Sequence, residues 1–157
     1  MALWARLTVL CVVCLIGACG GKRAQHRVRT LRKMSGPDHT ITAITIDYTT
    51  GIASRIVMAE DSGKVLREQQ LAGQPQSSKE EFKEAVEIIG RDRNLTNFIS
   101  GGAVPEGGFI VDGPYNHPSQ DRYIQIRLLT PGRERLLRVV LVDLTAGVVA
   151  SARDSFE

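Results

Sequence analysis

Residues 64–92 read KVLREQQLAGQPQSSKEEFKEAVEIIGRD, and this stretch decides how the chain folds. Its first part, Lys64–Leu71, has the length and the flanking turn residues of a strand. Gly73-Gln74-Pro75-Gln76 then interrupts regular structure, because proline fixes φ and removes a backbone donor. Ser78 and Glu81 spell a capping box, in which the hydroxyl accepts from the third helical amide and the carboxylate returns to the cap's own N–H. Behind it Phe82, Ala85, Val86 and Ile89 recur at helical spacing, predicting one amphipathic helix from Lys79 to about Gly90. Glu80, Glu81, Glu84 and Glu87, interleaved with Lys79 and Lys83, read as the solvated face of that helix. A helix with one apolar face needs a cover, and strands on either side of it supply one.

Upstream, Ile44, Ile46 and Tyr48 alternate with Thr45 and Asp47, the period of a half-buried strand, and Ile52–Ala59 follows as the next. Asp47–Gly51 and Glu60–Lys64 are turns in which glycine supplies positive φ and Asp, Thr or Ser oxygens bond the local backbone. Downstream, Asp92 or Asn94 caps a short second turn with Leu95, Phe98 and Ile99, stopped by Gly101-Gly102. Gly101–Gln120 is expected to be largely loop, with a short strand at Phe109–Asp112. Strands are then expected at Arg122–Leu129, Arg135–Leu144 and Val148–Arg153. The expected fold class is α+β: antiparallel sheet with one main helix packed on a sheet face. Strand, turn, strand, turn, strand occurs on both sides of the helix, a weak repeat at roughly 80-residue spacing, below the count needed for a solenoid.

The 157 residues are 43% hydrophobic and 24% charged, which excludes wholesale disorder and a polytopic membrane protein. Residues 1–18 follow the order of a secretory signal peptide, with Arg6, the apolar run Leu7–Ile16 and the small pair Gly17-Ala18. That run is about half of the roughly twenty residues a membrane span requires. Leu15-Ile16-Gly17-Ala18-Cys19 resembles the lipobox of bacterial lipoproteins, which implies acylation of the Cys19 thiol and export to the cell envelope. Cys11 and Cys14 would leave with the signal, so no disulfide is expected. Residues 19–38 are expected to form a solvated, lipidated basic tether, and residues 39–157 the folded domain. Lys22, Arg23, Arg27, Arg29, Arg32 and Lys33 place six positive charges ahead of the first acid, Asp38. A basic segment beside a lipid is drawn to anionic headgroups. It has no aromatic residue to stack bases, so nucleic acid is not an expected partner. Residues 39–157 hold 13 Lys and Arg against 16 Asp and Glu, so the net charge of +3 reflects the N-terminal segment.

Ile41–Arg153 as a whole resembles the second and third N-terminal domains of copper amine oxidases. The resemblance rests on Lys64–Asp92, on the Asp-x-x-x-Gly turns and on the closing VVLVDLTAGVVASAR. It implies cystatin-like units, each a helix laid across a curved antiparallel sheet. The helix and first strand that open the first unit are missing from the pattern, their place taken by the basic tether, which leaves three strands. The catalytic domain has no counterpart: there is no Asn-Tyr-Asp or Asn-Tyr-Glu for a tyrosine-derived quinone and no histidine trio for copper. The resemblance therefore implies a fold and not amine oxidation.

His26, His39 and His117 match no metal-ligand spacing. No serine or cysteine stands in a sequence context that supplies an oriented base. Gly101-Gly102 and Gly107-Gly108 lack a phosphate-loop lysine, and Asn94-Leu95-Thr96 fits a glycosylation acceptor in letters only. The expectation is a lipid-anchored, non-catalytic envelope protein without cofactor or metal. It would bind a protein or peptide at a sheet edge or through Gly101–Gln120. An accessory role beside a separate amine-oxidase chain is the alternative.

Overall fold

The computed structural model describes residues 27–111 and 121–154. Cys19, His26, His117 and the signal sequence lie outside the described residues. Two four-stranded antiparallel sheets flank one main helix, an α+β architecture. The first sheet holds β1 (Val28–Gly36), β2 (Thr40–Asp47), β3 (Ile52–Ala59) and β4 (Val65–Gln70) in chain order. After α1 (Lys79–Arg91) and the short α2 (Thr96–Ser100), the second sheet holds β5 (Val104–Val111), β6 (Tyr123–Leu129), β7 (Leu136–Asp143) and β8 (Val148–Arg153).

Two expectations are corrected. Residues 28–36, expected to be solvated tether, form β1, paired from Val28 opposite Asp47 to Gly36 opposite Thr40. The first sheet therefore has four strands and not three. An edge strand has one open side and tolerates the Arg, Lys, Thr and Ser that make this segment look unstructured. Leu31 is the extra residue of a register shift between Thr30 and Arg32, and it packs against the core. The second correction concerns Gly101–Gln120, of which Val104–Val111 is strand β5. Pro105 is compatible because β5 lies at the edge of its sheet. Gly107 and Gly108, with φ of 102° and 91°, absorb a register shift opposite β6. A Cβ on Gly108 would stand 3.0 Å from the Phe82 ring, so the bulge also lets helix and strand approach closely.

The core forms where α1 lies on the second sheet. Ala85, Ile88 and Ile89 face Ile124, Ile126, Leu128, Val140 and Val142. All five sheet residues are 0% exposed, and each full burial is worth about 1.5–3 kcal/mol. Ile46 and Tyr48, at the far end of β2, enter the same core. The first sheet is thus joined to the helical unit at one end.

Candidate functional site

The densest polar constellation among the described residues lies at that join. Ser78 caps α1 with extended backbone, its hydroxyl 3.1 Å from the Glu81 amide, while the Ser78 amide donates to Glu81 Oε2 at 2.8 Å. The capping box is therefore present as expected. Its carboxylate, however, is not on a solvated face: Glu81 is 0% exposed. Arg122, at the entry to β6 and equally buried, donates from Nε to Glu81 Oε1 at 2.5 Å and from Nη2 to Oε2 at 3.0 Å. Tyr48 completes the set by donating its hydroxyl to Oε1 at 2.5 Å. Three segments far apart in sequence converge on one carboxylate, and two planar groups meet in the paired geometry that guanidinium and carboxylate favour.

The guanidinium is held from behind. Its Nη1 donates to Gln74 Oε1 at 3.1 Å and its Nη2 to the Gln76 carbonyl at 3.4 Å, so the Gly-Gln-Pro-Gln break has a packing role. Thr145 Oγ1 accepts from the Arg122 amide at 3.0 Å, and the Arg122 carbonyl accepts from the Leu144 amide at 2.9 Å. The β7–β8 turn is itself wound around Asp143, whose Oδ1 accepts from the Thr145 and Ala146 amides.

The protonation states follow from the neighbours. Burial pushes the Glu81 carboxyl upward, but hydrogen bonds from Arg122, Tyr48 and the Ser78 amide outweigh it and hold the group below its ordinary range. Burial, then the bond to the Glu81 carboxylate, drives the Tyr48 hydroxyl well above the ordinary phenol value. Glu81 therefore stays ionised and Tyr48 stays protonated. Each carboxylate oxygen already accepts two hydrogen bonds, so neither offers a further lone pair to a substrate proton. This arrangement fastens elements together and is not poised for proton transfer.

A second cluster borders the first. Arg27 pairs with Glu84, donates to the Leu144 carbonyl at 3.0 Å and stacks 4.7 Å above the Tyr48 ring. Arg29 Nη2 lies 2.6 Å from the other Glu84 oxygen, an ion contact without hydrogen-bond alignment, and 5.6 Å from the same ring. Two arginines expected in a solvated tether are thus partly buried against helix and sheet.

Elsewhere, His39 is 95% exposed in the β1–β2 turn, 4.0 Å from Glu60. Among the described residues no group of His, Cys, Asp and Glu could hold a metal ion, and no helix is long and apolar enough to cross a membrane. A pocket of about 420 Å³ lies beside α2, lined by Asp92, Asn94, Leu95, Phe98, Arg138, Val149 and Ala152. Its charges are engaged: Arg138 pairs with Asp154 and covers the Phe98 ring, and Asp92 Oδ1 accepts from the Asn94 amide.

Glu81 was legible as a helix cap, but not as a buried ion. Its partners lie 33 and 41 positions away, and no local pattern joins them. Arg122 stands immediately before the strand Tyr123–Leu129, and nothing in its local sequence marks it as buried. The chain matches no protein-family model and no curated protein sequence.

Proposed function

We propose that this chain is a lipid-anchored, non-catalytic protein of the bacterial cell envelope, acylated at Cys19, that takes a protein or peptide partner by strand addition. The observation that carries the interaction half is β4. It pairs with β3 on one side only, and all six of its residues are exposed, Val65 and Leu66 included. An unpaired row of backbone donors and acceptors with apolar side chains beside it is the template that extended peptides use. The anchoring half is supported by the order of charged, apolar and small residues that ends at Cys19.

A photoreactive residue in place of Gln70, in cells expressing the chain, should give a discrete crosslinked adduct that weakens when Leu66→Lys is added. No adduct, or one indifferent to the lysine, counts against strand addition. Intact-mass measurement should show an acyl addition on the wild type that is lost in Cys19→Ala.

The helix lying on a four-stranded antiparallel sheet supports a cystatin-like description and the resemblance to copper amine oxidase N-terminal domains. A second reading follows from it: an accessory chain beside a separate quinone-dependent oxidase. Co-purification with such a chain would favour this reading.

A further inference from the structure

The strands of the first sheet segregate their charges by face. Register places Arg29 opposite Ile46, Arg32 opposite Ile44, Ile44 opposite Arg55, and Val57 opposite Arg67, so these four arginines share one face, the one whose Ile46 and Ala53 are buried at the end that meets α1. The other face carries Lys33 with Asp47 and Glu68, paired opposite Ala43, Val28 and Ile56. Arg29 is engaged by Glu84. Arg32, Arg55 and Arg67 are exposed, and among the described residues none of them has an ion pair. Arg32 and Arg55 stand two strands apart in one row, about 10 Å, and Arg67 is diagonal to Arg55 at about 7–8 Å. Three unneutralised guanidiniums so close together repel one another, and on the part of the face that α1 leaves open they form an array that fits a surface of several anionic groups rather than a single one.

We propose that this face seats on the anionic phospholipid headgroups of the bilayer to which the chain is anchored; the proposal rests on the anchoring reading above. Only nine positions separate Cys19 from Val28, so a lipid on Cys19 keeps β1 within about 30 Å of the membrane. At physiological salt the attraction is felt over about 8 Å, so the guanidiniums must approach the headgroups closely to engage them. Arginine presents a fork that two phosphate oxygens of a headgroup satisfy together. The face positions the anchored protein sheet-down and leaves the β4 edge at the rim of the contact.

The test uses the full chain reconstituted in nanodiscs of phosphatidylcholine alone or with phosphatidylglycerol. Phenylglyoxal modification, mapped by mass spectrometry, should slow at Arg32, Arg55 and Arg67 about fivefold or more in the anionic discs. Arg93, Arg133 and Arg153 should react alike in both. Amide exchange in β3 and β4 should slow in anionic discs for the wild type and not for R32Q/R55Q/R67Q. Equal modification in both discs, equal protection of the three reference arginines, or an exchange difference that survives the triple substitution would overturn the proposal. Protection independent of lipid charge also overturns it. Intact mass of the same sample reads acylation of Cys19 separately. An unacylated chain with protected arginines removes the anchor and leaves the face standing.

Discussion

The two sheets of this molecule have the same number of strands and the same antiparallel order, yet they are held in different ways. The second sheet lies under α1, and its central strands β6 and β7 are fully buried at five positions. The first sheet has no helix of its own, and only Ala43, Ile46, Tyr48 and Ala53 are buried along it or at its end. One sheet is stabilised by a core, and the other by its neighbour. Regions with few buried contacts open at lower free energy than the global transition, so the first sheet is expected to be the earlier to open. What links the two is the ionised cluster of Glu81, Arg122 and Tyr48, bordered by Arg27, Arg29 and Glu84.

Breaking that link should have the largest effect. Arg122→Met leaves Glu81 buried without its counter-ion and should cost about 3–5 kcal/mol in chemical denaturation. Acid attacks the same link reversibly. The Glu81 carboxyl lies below its ordinary value of 4.5 in the folded chain, so its contribution is present above pH 4.5 and is lost as pH falls through the lower folded value. The variant, having no such pair, should lack this part of the acid limb. An unchanged pH profile in Arg122→Met would show that the cluster contributes nothing of the kind.

Truncation in the core should separate the two sheets. Ile126→Ala is expected to cost about 2–5 kcal/mol, whereas Ile56→Ala, only partly buried in β3, should cost about 1 kcal/mol. Comparable losses would mean that the first sheet has a core of its own. Tyr48→Phe removes one hydrogen bond to a carboxylate, at about 1.5–3 kcal/mol. Amide exchange should quicken in β1–β4 while β6 and β7 keep their protection, and uniform loss would mean that the two sheets open together. Ser78→Ala should cost as little as Ile56→Ala, about 1 kcal/mol in chemical denaturation, because it loosens the α1 cap and leaves Arg122 in place.

The same contrast explains what could be read in the sequence. α1 was legible because its capping box and apolar spacing are local, and it ends at Arg91 against an expected Gly90. Ile52–Ala59 and Val148–Arg153 were legible from alternation and turn chemistry, with the bounds that the structure shows. β1 was not legible, since VRTLRKMSG has neither the alternation of a buried strand nor its composition. It is ordered by pairing with β2 and by the contacts of Arg27, Arg29 and Leu31. The start of β5 was hidden by Pro105 and by paired glycines that ordinarily signal a loop. Val86 was expected on the buried stripe, but Ile88 occupies the core while Val86 is partly exposed. The polar cluster was out of reach because its meaning depends on which distant segments meet.

Arg27 stands at the upstream end of β1, where it grips the Leu144 carbonyl and Glu84. Any pull arriving along the chain from residues before it is divided there: the Arg27 carbonyl holds the Tyr48 amide at 3.0 Å, while its side chain passes part of the load to α1 and the β7–β8 turn. The weaker sheet therefore does not bear tension alone at the strand end where its register begins.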